Sequence, residues 1–186
     1  MLGGITKGLG IFGNKQAFLE NNLIDQALPK QLRDLNGVLE KIAPNLVAKE
    51  RDYIAQAAVY TVDISKPILT NAVNSLTAED AARIAQGGKG AATQILKEKT
   101  AEQLMLAIQP KVDEKLNQFG IVSSINSALQ GSNILGQIFG NGNSSNLSAT
   151  GGLSRLASEQ MVNGLFNIIQ NHEEQNAVSL YDALGK

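Results

Sequence analysis

Residues that could do chemistry are few here. The group with the plainest physical purpose is Gly87-Gly88-Lys89-Gly90, with Thr93 just beyond it. Free backbone N–H groups at a helix start carry partial positive charge and attract anions. A helix opening near Ala91 makes Gly88, Lys89, Gly90 and Thr93 a candidate seat for a phosphate or carboxylate, with a plain helix–helix turn as the simpler account. The full phosphate-loop spacing, GxxxxGK followed by Ser or Thr, cannot be written through them. Gly8, Gly10 and Gly13 match GxGxxG, but that pattern cradles a pyrophosphate only between a strand and a crossover helix. Neither is signalled nearby.

His172 is the single histidine and precedes Glu173 and Glu174. It falls at the end of an apolar stripe, near an expected helix C-terminus, where capping or packing is its expected role. Ligands on successive helical residues point in different directions, which disfavours a metal site. Asp63 follows Val62 in the middle of a long apolar-striped segment and is expected to be partly buried in a structural polar contact. Glu79 and Asp80 fit the first turn of a helix, and Asp113 and Glu114 sit between Lys111 and Lys115 as a solvated ion-pair face. No GxSxG elbow exists to accompany the lone histidine. Two glycosylation-type triplets, at Asn143 and Asn146, lie in an Asn/Ser-rich stretch where such matches arise by chance. No catalytic, cofactor-binding or metal-binding residue is assigned, and no cofactor is expected.

Composition narrows the classes further. Sixteen basic and seventeen acidic residues give a formal charge of −1, with four scattered Arg. Nucleic-acid binding rests on clustered positive charge, so such a partner is not expected. The absence of cysteine rules out disulfides and thiolate chemistry. No apolar run reaches the eighteen or so residues of a membrane span. The start, MLGGITKGLGIFG, is interrupted by Lys7 and lacks the layout of a secretory signal. Apolar residues make up 43%, enough for a core, but with five Phe, three Tyr and no Trp that core must be aliphatic. No sustained strand-like alternation appears. The expected fold is all-α: a single-domain bundle of amphipathic, partly Pro-kinked helices with a central helical hairpin.

The elements that position these residues follow from periodicity and punctuation. Residues 1–14 read as a flexible Gly-rich leader and 15–186 as one helical domain. Pro29 opens a helix striped by Leu32, Leu35, Leu39 and Ile42, and Pro44 closes it. A long helix over about 45–75 carries Val47, Ile54, Ala58, Val62, Leu69 and Val73, with Pro67 predicting a kink. Thr77 and Asp80 have capping-box spacing, Gly87-Gly88 supplies a stop, and Thr100 with Gln103 suggests a further start. Leu104, Ile108, Val112, Leu116 and Phe119 hold one stripe, with a second bend expected at Pro110 and a stop at Gly120. Two short apolar groups follow within 121–139, then a loop over 140–152, a last strong helix over about 153–171, and a short apolar tail.

Leu76-Thr77-Ala78-Glu79-Asp80-Ala81, Ile84, Gly87-Gly88, Ala91-Ala92-Thr93, Lys99-Thr100, Leu104, Pro110 and Val112 resemble the central signature of a bacterial family called domain of unknown function 4197. Gly10-Ile11-Phe12-Gly13-Asn14 is similar to its start. Leu28-Pro29 is similar to its helix opening, and Gly164-Leu165-Phe166 with Glu173-Glu174 to its C-terminal motif. The chain departs from the pattern at Ala55-Gln56-Ala57-Ala58-Val59, where polar members are lost, and after Glu174, where a basic stretch is missing. The resemblance implies a helical fold and often an exported or envelope-attached bacterial protein, periplasmic or envelope-associated here, with no reaction or active-site residue to carry over. The leading expectation is a non-enzymatic binding or structural protein acting through a protein partner or self-association. A carrier of an apolar small molecule or lipid in a cavity between helices comes second, and an enzyme third.

Overall fold

In a computed structural model, the described residues are 2–120, 123–124, 127 and 147–183. They form eight principal helices and no strand: α1 (Leu2–Phe12), α2 (Lys15–Glu20), α3 (Asn22–Gln26), α4 (Lys30–Ile42), α5 (Pro44–Asn74), α6 (Ala78–Gly87), α7 (Ala91–Gln118) and α8 (Leu147–Ala183). The all-α expectation holds. Helices α5, α7 and α8 make the frame, with α7 packed against both of the others. Helix α1 lies against α8 and α5, α2 and α4 cover α5, α3 packs on α8, and α6 folds back along α7.

The stripes read from spacing form the core. Leu104, Ile108, Val112 and Leu116 are buried along α7, as are Leu32, Leu35 and Leu39 along α4 and Ala157, Met161, Leu165 and Ile169 along α8. Each recurs every three or four residues, so one face of each helix leaves water. Ile42, the last member of the α4 stripe, is instead exposed. Pro44 begins α5, where its missing N–H costs nothing, and α5 and α7 run on through Pro67 and Pro110.

The hairpin punctuation is realised atom by atom. Thr77 N donates to Asp80 Oδ2 at 2.9 Å, and Asp80 N donates to Thr77 Oγ1 at 3.2 Å. Lys99 Nζ lies 3.0 Å from the same carboxylate. The Thr77 amide, then Lys99, hold the Asp80 carboxyl down to about 2. Gly88 and Gly90 take φ of 75° and 83° through the turn, and Gly120 takes 65° just past the end of α7.

Several expectations need correction. The Gly-rich start is a helix and not a flexible leader, with Ile5, Leu9 and Phe12 buried on one face. Its glycines serve close approach: a Cβ at Gly8 would stand 2.5 Å from Leu165 Cδ1, and one at Gly4 3.2 Å from the Ile169 carbonyl oxygen. Thr100 starts no helix, because α7 passes through it and its hydroxyl donates to the Leu96 carbonyl at 2.7 Å. The expected loop over 140–152 is helical from Leu147 onward, so the last helix extends well beyond 153–171 at both ends and takes in the tail as far as Ala183. Residues 140–146 and the apolar groups at Val122, Ile125, Leu129 and 134–139 lie outside the described residues.

Candidate functional site

Helix α5 places a carboxylate where an aliphatic side chain belongs. Glu50 stands three residues after Val47 and four before Ile54, on the face that turns inward, and is 2% exposed. Neither of its carboxylate oxygens has a hydrogen-bond partner among the described residues. Burial without compensation pushes the carboxyl up to about 7. An ionised carboxylate in such a place is among the costlier things a fold can bury.

Glu50 opens onto a cavity of about 220 Å³ between α2, α3, α4, α5 and α8. Phe18, Leu28, Leu32, Val47 and Ile54 give it apolar walls, and Asn36 and Gln160 add amides. Gln160 spends its NH2 on the Ile24 carbonyl at 3.4 Å, which leaves its buried Oε1 without a partner. Asn36 Oδ1 is buried and unpartnered too. Three helices thus bring unpartnered acceptor oxygens to one small space.

Arg51, also on the rim, does not supply that donor. Its guanidinium bonds the Asp25 carboxylate at 2.7 Å and the Leu19 carbonyl, tying α5 to α2 and α3. Asp25 itself is raised by burial, with Arg51 pulling the other way.

A second feature explains the candidate anion seat at Gly88, Lys89, Gly90 and Thr93. The opening N–H groups of α7 do hold an anion, and it is the chain's own. Glu173, on α8, accepts from Ala92 N at 3.2 Å, Thr93 N at 2.8 Å and Thr93 Oγ1 at 2.5 Å. Gly90 brings the two helices close enough for this, since a Cβ there would stand 3.1 Å from Gln170 Nε2. Lys89 is exposed beside the turn. A wider groove of about 640 Å³ runs past this turn between α7 and α8. Part of its polar lining is committed: Gln170 to Glu174, Asn167 to the Leu23 carbonyl and Glu98 to Arg83.

Removing the clamp should be visible. Glu173→Ala leaves two N–H groups and a hydroxyl without their charged acceptor and is expected to cost about 2 kcal/mol. Urea unfolding followed by circular dichroism measures it, and an unchanged midpoint would mean that the clamp adds nothing to α7–α8 docking.

The other candidates do not assemble. Asp63 is exposed, contrary to the expected partial burial, because it projects from α5 on the side away from Ile54 and Ala58. His172 lies inside α8 and not near its end, since that helix continues to Ala183. Its ring rests against Gly3 of α1, and its Nδ1 is 2.9 Å from the Asn176 amide nitrogen. Among the described residues no three His, Asp or Glu gather as a metal site would require, and no helix is long and apolar enough to cross a membrane.

A model of a protein family of unknown function, DUF4197, matches residues 2–177. The chain belongs to the DUF4197 family. The match takes in α1 to α7 and most of α8, including Glu50, Thr93, Gln160 and Glu173. No curated protein and no solved structure matches the chain. DUF4197 membership agrees with the resemblance drawn from the capping and hairpin residues, and it brings no reaction with it.

The signal for Glu50 was present in the chain. The α5 stripe steps from Val47 to Ile54, and the omitted turn is filled by Glu50 and Arg51. Asn36 and Gln160 likewise interrupt otherwise aliphatic faces, at Leu32–Leu39 and Ala157–Met161. Their convergence could not be read locally.

Proposed function

We propose that this DUF4197 protein is a non-enzymatic binding protein that seats a small ligand in the Glu50 cavity. The observation that carries the reading is a buried carboxylate with both oxygens unpartnered, facing an accessible space. Such a group costs stability unless something else gains from it. At about 220 Å³ the cavity suits a small molecule, such as a short alkyl chain with a polar head, better than a whole lipid.

A protein-docking role draws less support. Ile42, Tyr60 and Leu106 are the exposed large apolar side chains among the described residues, and they sit on three different helices. Tyr60 is partly occupied, with Lys115 Nζ 4.2 Å from its ring centroid. The envelope setting implied by the resemblance belongs to the same reading, and cell fractionation tests it.

A fragment screen on the full chain, read by two-dimensional NMR, decides the binding proposal. Hits should perturb Leu32, Val47 and Ile54 together. A screen without hits, or with hits that all map to other surfaces, would remove it. A second reading, in which Glu50 passes a proton to or from a bound substrate, draws on the same displaced titration. It predicts that some hits are consumed in the sample over hours.

A further inference from the structure

We infer that the Glu50 cavity recognises a primary ammonium group carried on a short apolar stem, a step that rests on the binding reading above and names its ligand class. Four side-chain atoms in the cavity lining have no protein partner: Glu50 Oε1 and Oε2, Asn36 Oδ1 and Gln160 Oε1. With Glu50 ionised, all four are acceptors. A phosphate brings further acceptors and negative charge, and would leave most of them unsatisfied. A primary ammonium brings three N–H donors and one positive charge, which suits one carboxylate and two amide oxygens.

The surroundings sharpen the choice. The lining residue that carries a positive charge, Arg51, is already bonded to Asp25, so Glu50 lacks a counter-ion among the described residues. Leu32, Val47 and Ile54 on the walls favour an alkyl stem over a fully hydrated ion. A divalent metal fits less well: Asp25 and Glu40 also line the cavity, but among the described residues no three such side chains gather around one point, and calcium or magnesium wants about six oxygens or more. The volume of about 220 Å³ exceeds the roughly 150 Å³ in which an engineered apolar cavity holds benzene. A stem of about four to six carbons therefore fits.

Titration of the full chain with n-butylammonium, 1-butanol and calcium chloride at about pH 8, by calorimetry and NMR, tests the inference. The ammonium should bind at least about tenfold more tightly than the alcohol, which matches it in size and lacks the charge. Glu50→Gln should abolish that preference while the spectrum stays folded, and Asn36→Leu should weaken it less. Equal affinity for the alcohol, undiminished ammonium binding in Glu50→Gln, or perturbation of the cavity signals by calcium and not by the ammonium would each overturn it. If neutral fragments bind and ammonium does not, this inference alone falls; if no fragment of any class binds, the binding proposal falls with it.

Discussion

Glu50→Gln is expected to stabilise this protein at about pH 8 by roughly 3 kcal/mol and to leave its stability at about pH 4 unchanged. The sign follows from proton counting. The folded state holds the Glu50 proton up to about 7, whereas an unfolded Glu loses it near 4.5. Below 4.5 both states are protonated and Glu50 exacts no penalty. Between those values the folded chain carries the extra proton, so stability declines as pH rises. Above about 7 the full cost of a desolvated, unpaired carboxylate is felt.

Other carboxylates act outside that window. Asp80, held at about 2, contributes stability that is present above its ordinary 3.8 and lost as pH falls toward 2. Asp52, lowered chiefly by its hydrogen bond with Lys15, and Glu114, lowered chiefly by Lys111, have the same sign. Asp25, raised by burial, works in the direction of Glu50. Scanning calorimetry of both proteins at the two pH values measures the effect, expected as a gain of about 5–10 °C at the higher one. A variant less stable than the parent at about pH 8 would show that Glu50 has a compensating partner after all.

Gly164→Leu is expected to lose about 3 kcal/mol or slightly more, near the upper end for overpacked sites. Gly164 sits on α8 under α3, where a Cβ would come within 2.5 Å of Ile24 Cδ1 and 3.2 Å of Ile24 Cα. The side-chain tip could swing aside, but the α-carbon moves only if α3 itself lifts. That short helix also supplies Asp25 to the cavity rim and the Ile24 carbonyl that orients Gln160. Displacing it should therefore disturb the cavity as well as the fold, and the fragment signals at Leu32 and Val47 should weaken with the melting temperature. Gly37→Ala makes the opposite case. Gly37 lies within α4 with nothing in the way of an added Cβ, so alanine there should stabilise by about 0.5–1 kcal/mol. Similar effects at the two positions would contradict the packing account.

Local order decided the helices. Pro29, Pro44, the Thr77–Asp80 box, Gly88 and the aliphatic stripes of α4, α7 and α8 act over a few residues, so the sequence alone determined an all-helical chain, the bounds of α4, α5 and α6 and its hairpin. What a residue does across an interface was decided only by the tertiary structure. The glycines of α1 look flexible in isolation and prove to be the smooth side of a helix, because Leu165 and Ile169 of α8 press against them. The helix-start anion seat was legible at Gly90 and Thr93, yet its occupant, Glu173, is 80 residues away from Thr93. Glu50, Asn36 and Gln160 show the same division. Each is visible as a polar break in an oily stripe, but only the meeting of α4, α5 and α8 turns three separate breaks into one acceptor-lined cavity. The reason is physical: periodicity and capping are set by near neighbours, while desolvation and hydrogen-bond satisfaction depend on which distant surfaces exclude the water.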